Sequence, residues 1–196
     1  MGVGLTTLPH KKTVTETRGV GNETTLIGRV AAGVLMTLLG QSQPEAQRPT
    51  DHIVAPKRQT IIGCWNVRTM AETTRARQVA KAMKEYGIEV LGISEARWKG
   101  KGFSVTLQSG EKVVYVANDE VQQGGVAIMM SAGQRGALME WMPISKRIIT
   151  ARFYSKYKKL TVIQTYTPTK DAMDEEKDYL YNQLQYTLSS CKKIDD

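Results

Sequence analysis

The sequence predicts an α/β or α+β fold with a mixed sheet, preceded by an N-terminal extension. Three observations carry this expectation. A strand, a helix and a second strand follow one another between Thr60 and Ser94, a spacing that suits a parallel βαβ unit. Short apolar runs separated by turn residues come next and read as further strands. From Asp174 onward, Leu180, Leu184 and Leu188 form the apolar stripe of a closing helix.

The first strand is TIIGCW, short and rich in β-branched residues. RARQVAKAMKEYG follows, with Val79, Ala82, Met83 and Tyr86 at helical spacing. Thr73 or Thr74 suits its N-cap, and Gly87 stands where a helix ends in the left-handed conformation. EVLGIS is a second buried strand, and FSVTLQ and KVVYVA flank SGE as a hairpin. GGVAIMM, RIITARFY and KLTVIQTY are three more strands, with SKYK turning between the last two. Gly124 and Gly125 lack the spacing and following helix of a nucleotide-binding loop, so they read as the start of a strand. Glu175 and Glu176 occupy the first turn of the closing helix, where its dipole favours acids.

At 196 residues the chain has room for one ordinary domain and a tail. Its formal charge of +8 suits a polyanionic partner. Residues 1–58 hold seven of the 27 Lys/Arg and four of the 19 Asp/Glu, so the excess is spread out and forms no basic arm. These 58 residues read as a disordered or weakly ordered extension and linker, with one short helical patch from Leu26 to Gly40. That patch is interrupted by Arg29 and falls short of the ~20 apolar residues a membrane-spanning helix needs. The polar segment before it carries Glu16 and Glu23, unlike a secretory signal. Cys64 and Cys191 lie far apart and are expected as free thiols.

The chemistry is expected where WNVRT, ISEARW and VIQTYTPT end their strands in Asn66, Glu95 and Tyr166, because α/β proteins place their sites at such strand ends. Glu95 follows Val90, Leu91, Gly92, Ile93 and Ser94 at the end of a strand expected to be buried on both faces, so it needs either a metal ion or an ion pair with an arginine such as Arg68 or Arg97. Asn66 suits a phosphate, the surroundings of a hard cation, or simply a turn. Tyr166 precedes Thr167 and Pro168 on extended backbone, where a phenol either meets a phosphate or caps the core. Arg97 and Trp98 either grip a nucleic acid or divide into a solvated cation and a packed ring.

WNVRT, SEARW, GGVAIMM, RIITARF and VIQTYTPT occur in that order. Through them residues 59–196 resemble the N-terminal half of the endonuclease/exonuclease/phosphatase superfamily, the DNase I-like fold, and especially endonuclease domains of non-LTR retrotransposons. The resemblance implies an incomplete two-sheet α/β sandwich and hydrolysis of DNA phosphodiester bonds with Mg²⁺, or Mn²⁺ in its place. It implies that Glu95 is the metal ligand, that Asn66 helps hold metal and phosphate, and that Tyr166 touches the phosphate. It extends nucleic-acid contact to Arg68, Arg97, Trp98 and Thr169, and an intracellular, nuclear location follows from the family's role.

The family's second half supplies a GDFN-like segment and an S-D-H segment with a catalytic histidine. Neither occurs here, and the two histidines, His10 and His52, both precede the folded part. One carboxylate without a base does not activate water, so the chain is expected to be inactive alone. It then reads as a truncated endonuclease, as a half-domain that binds nucleic acid or protein without cutting, or as a relic reading frame. The expected architecture is one mixed sheet with both helices on its outer face. Its apolar inner face would be left for a partner to cover.

Overall fold

The computed structural model describes residues 24–30, 34–42, 60–98, 103–116, 124–154 and 158–195. In chain order the elements are β1 (Thr24–Val30), β2 (Val34–Ser42), β3 (Ile62–Asn66), α1 (Thr73–Glu85), β4 (Val90–Ser94), β5 (Phe103–Thr106) and β6 (Lys112–Val116). After them come β7 (Val126–Met130), a 3₁₀ turn (Arg135–Ala137), β8 (Leu138–Ser145), β9 (Ile148–Phe153), β10 (Lys158–Tyr166) and α2 (Asp174–Asp195). The strands form two five-stranded sheets, ordered β3-β4-β7-β6-β5 and β1-β2-β10-β9-β8.

The βαβ unit is as expected: β3 and β4 pair in parallel, with Asn66 opposite Ser94. Helix α1 buries Ala76, Val79, Ala80 and Met83, one face at helical spacing, while Tyr86 is exposed. Its N-cap is Glu72, not Thr73 or Thr74, and no side chain caps it. Gly87 closes the helix with φ +64°. Its N–H bonds Lys84 and the N–H of Ile88 reaches back to Met83, at 3.1 and 2.8 Å. Met83 and Ile88 also pack in one apolar cluster. This paired closure, with its apolar contact, lets the chain leave the helix and enter β4 directly.

The two sheets pack face to face. Ile62, Val90, Val114, Val116, Val126, Ile128 and Met130 of the first sheet share one core with Ile149, Ala151, Phe153 and Val162 of the second. The alternate residues face outward to the helices. Leu91, Ile93, Val113, Ala127 and Met129 meet α1, and Ile148 and Ile163 meet Leu180 and Leu184 of α2. Each helix therefore covers a different sheet. This corrects the expected single sheet with an uncovered inner face: β7 joins β4 and β6 instead of β9, and the two inner faces bury each other.

Within residues 1–58 the apolar run supplies strands instead of the expected helical patch. β1 and β2 pair as an antiparallel couple, and β2 runs antiparallel to β10 from Lys158↔Ser42 to Tyr166↔Val34. A short apolar run does not distinguish helix from buried strand by periodicity, and the N–H and C=O groups along an edge of β10 accept a strand readily. Residues 1–23 and 43–59 lie outside the described residues, as do residues 155–157, where the sequence reading expects a turn. Strand β8 has no counterpart in the sequence reading. Pro143 within it removes a ladder donor, which is tolerated because β8 ends its sheet. Both cysteines are free thiols. No helix among the described residues is long and apolar enough to cross a membrane.

Candidate functional site

Side chains alternate across a strand, and along three strands the layer between the sheets turns from apolar to polar at one end. On β3 it passes from Ile62 to Cys64 to Asn66, and on β10 from Val162 to Gln164 to Tyr166. Ile62 and Val162 are core residues, and the Cys64 thiol meets the Gln164 carbonyl oxygen at 3.6 Å. Burial pushes the Cys64 thiol up to about 12, which makes it a packing group and not a nucleophile. Ser94, opposite Asn66, buries an Oγ with no hydrogen-bond partner among the described residues.

Past this polar layer the strand ends converge on one carboxylate. Asn66 Nδ2 donates to Glu95 Oε1 at 2.7 Å, and the Tyr166 hydroxyl donates to the same oxygen at 2.9 Å. Arg97 Nη2 reaches Glu95 Oε2 at 3.2 Å. The Asn66 amide is oriented by its own loop, since the Arg68 backbone N–H donates to Asn66 Oδ1 at 3.0 Å. The Glu95 side chain is 17 % exposed. Burial works against its charge, but the hydrogen bonds from Asn66, Tyr166 and Arg97 and the charge of Arg97 prevail, holding the carboxyl below its usual range. Burial and the neighbouring Glu95 push the Tyr166 phenol up, so it stays protonated and can donate.

Backbone geometry marks the same place. Among the described residues the non-glycine positions in the left-handed region are Arg68, Glu95 and Arg97, at φ 61°, 56° and 54°. Such conformations persist where surrounding contacts enforce them. Here Ala96 and Arg97 donate to the carbonyls of Gly125 and Gly124 at 3.2 and 2.9 Å, and Met70 donates to Ala96 at 2.8 Å. Gly124 and Gly125, themselves at φ 69° and 83°, thus open β7 as expected and also dock the Glu95 loop.

The sequence-derived residues divide accordingly. Asn66, Glu95, Tyr166 and Arg97 meet directly, and Arg68 joins through its backbone while its side chain is exposed. Trp98 takes the packed alternative: its indole N–H donates to the Met70 carbonyl, and its ring meets Tyr115 edge-on at 4.7 Å. Thr169 is exposed on the turn after β10, with its carbonyl bonded by Ala172. Arg147 was missed. Its guanidinium lies 5.4 Å from the centre of the Tyr166 ring. It precedes β9 as Tyr166 follows Thr165 on β10, and Thr165 pairs with Ile148. The strand register therefore contained the signal, but only once the sheets were known.

As a cation site the cluster offers hard oxygens: Glu95 Oε2 on displacement of Arg97, and the second lone pair of the Asn66 carbonyl. Mg²⁺ commonly takes one or two carboxylates from protein and completes its shell with water and phosphate oxygens. Among the described residues no group of three or more His, Cys, Asp or Glu could hold a metal ion. The cluster therefore offers such an ion one carboxylate and one amide oxygen, with no multi-carboxylate cage among the described residues.

No family model matches the chain. Over 157 residues, 80 % of its length, it is 33 % identical to craniofacial development protein 2 of Bos taurus. It is 32 % identical, again over 157 residues, to craniofacial development protein 2 of Tragulus javanicus. The chain spans about a quarter of the length of these relatives, 26 % and 27 % respectively.

Proposed function

We propose that the cluster is the metal- and phosphate-holding side of a phosphodiester site of the endonuclease/exonuclease/phosphatase type, derived from a retrotransposon endonuclease domain. The observation that carries the reading is the meeting of strand ends from both sheets on Glu95 Oε1. Glu95 and Asn66 would hold Mg²⁺ or Mn²⁺, which when bound supplies positive charge against the phosphate. Glu95 stays ionised at neutral pH because its donors favour the anion. Tyr166 keeps its proton and offers it to a phosphate oxygen. Arg97, released from Glu95, is free to pair with a neighbouring backbone phosphate, and the exposed Arg68 with another. Thr169, exposed three residues after Tyr166, would add a hydroxyl contact to the DNA. The partner is DNA, and a nuclear location would follow from that.

Hydrolysis also needs a group to orient and deprotonate water. Residues 60–195 contain no histidine, and Glu95 is the one carboxylate that these hydrogen bonds bring into the cluster. The reading for residues 1–196 is therefore binding without turnover. The Glu95–Arg97 ion pair favours a second reading, in which the carboxylate only orders Arg97 for a phosphate and takes no metal. Anisotropy of a labelled DNA duplex, together with plasmid nicking, separates the two. The first reading expects binding that Mg²⁺ strengthens in the native chain but not in Glu95→Gln, with no nicking in either. Binding indifferent to Mg²⁺ would support the second reading. Mg²⁺-dependent nicking lost in Glu95→Ala would overturn the claim of no turnover.

A further inference from the structure

A tyrosine that must place its hydroxyl on one carboxylate oxygen needs its backbone and its ring plane held. Tyr166 stands at the last position of β10; it pairs with Val34 on the β2 side, but on the β9 side the last ladder pair is Thr165↔Ile148. Arg147, on the turn between β8 and β9, supplies both restraints. Its carbonyl accepts from the Tyr166 N–H at 2.9 Å, and its Nη1 donates to the Tyr166 carbonyl at 3.3 Å. The guanidinium also lies over the ring, 5.4 Å from its centre. Nη2 is anchored on Glu176 Oε1 at 2.7 Å, in the first turn of α2. Arg147 Nε is buried with no hydrogen-bond partner among the described residues. A guanidinium that leaves one nitrogen unsatisfied is oriented by its remaining contacts, and these are Tyr166 and Glu176.

We propose that Arg147 is a positioning residue for this cluster: it holds the Tyr166 phenol against Glu95 and couples that contact to the start of α2. Only a planar fork serves a carbonyl, a carboxylate and a ring face together, so lysine does not replace it. The inference rests on the Tyr166–Glu95 contact of the proposed site but not on metal or DNA, and the exchange measurement that decides it is run without either.

The test uses the full 196-residue chain labelled at the tyrosine Cζ carbons, with Tyr166 assigned through Tyr166→Phe. Exchange of the Tyr166 hydroxyl proton with solvent is expected to quicken on the order of tenfold in Arg147→Ala, as a charge-assisted hydrogen bond is loosened. Arg147→Lys, which keeps the charge, is expected to show the same direction and to cover the case that the alanine variant does not fold. Glu176→Gln is expected to quicken exchange to a smaller extent. A purely structural role would lower the melting temperature and leave exchange unchanged. Native exchange in a folded Arg147→Lys and Glu176→Gln pair would overturn the proposal. Mg²⁺ affinity is then measured in the same variants. It is expected to fall with Arg147→Lys in the native background and not to fall further in Tyr166→Phe. A native chain that shows the exchange pattern and binds no Mg²⁺ would support the positioning role while ending the metal reading.

Discussion

Tyr166→Phe removes one oxygen and leaves the ring, its backbone contacts and the Arg147 guanidinium in place. The lost interaction is a hydrogen bond of 2.9 Å to a carboxylate. Hydrogen bonds to charged groups contribute about 1.5–3 kcal/mol net. Glu95 is 17 % exposed, so water can partly replace the phenol and the lower end applies, about 1.5 kcal/mol. For a chain of this size that corresponds to a fall in Tm of about 3–6 °C. The pH dependence follows from the sign of the shift. Glu95 titrates below its ordinary value of 4.5 in the fold, so its contribution is present above that value. It is lost as pH falls through the depressed folded value. The gap between native chain and Tyr166→Phe should be full at neutral pH and close with acidification. Urea unfolding of both proteins across that range measures it. A gap of the same size at every pH, or no gap at neutral pH, would refute the claim that the phenol stabilises an ionised Glu95.

Gly87→Ala puts a side chain at φ +64°, where the nearest atom, Ile61 Cδ1, is 3.8 Å away. The cost is therefore conformational, about 1 kcal/mol, and a fall in Tm of about 2–4 °C is expected by calorimetry. Phe153→Ala tests the closed sandwich. Phe153 is fully buried between the sheets, so unfolding by urea should show a loss of about 3–5 kcal/mol. A loss well under that range would mean that the inner faces are open to water.

The mixed α/β class was legible in the sequence, and so were the polar residues that meet at the strand ends; the pairing of the strands was not. Asn66, Glu95 and Tyr166 are polar residues ending apolar strands, and such an ending is legible because it breaks a strong local pattern. The pairing of strands into sheets is not local. All five residues of β7 and all six of β9 are buried on both faces, so neither strand alternates and neither says which sheet it joins. The expectation of an uncovered face placed β7 in one sheet with β9 and β10 and took the opposing sheet to belong to the family's absent second half. β8 is the reverse case: an edge strand of mixed exposure with Pro143 and two register shifts, it carries too weak an alternation to be seen. Arg147 escaped for a third reason. Its role lies in register with Tyr166, 19 residues away, and appears only when β9 and β10 are laid side by side. Glu95 also remained open between ion pair and metal ligand, and the fold answers part of that by supplying the Arg97 partner.

Mn²⁺ titration followed by NMR tests the metal-holding role of Glu95 most directly. The account predicts that substoichiometric Mn²⁺ broadens the Asn66 side-chain amide and the backbone resonances of residues 94–97. Glu95→Gln should abolish that broadening while the fold is retained. Broadening centred instead on Asp174 and Glu175 in the first turn of α2, or left unchanged by Glu95→Gln, would contradict it.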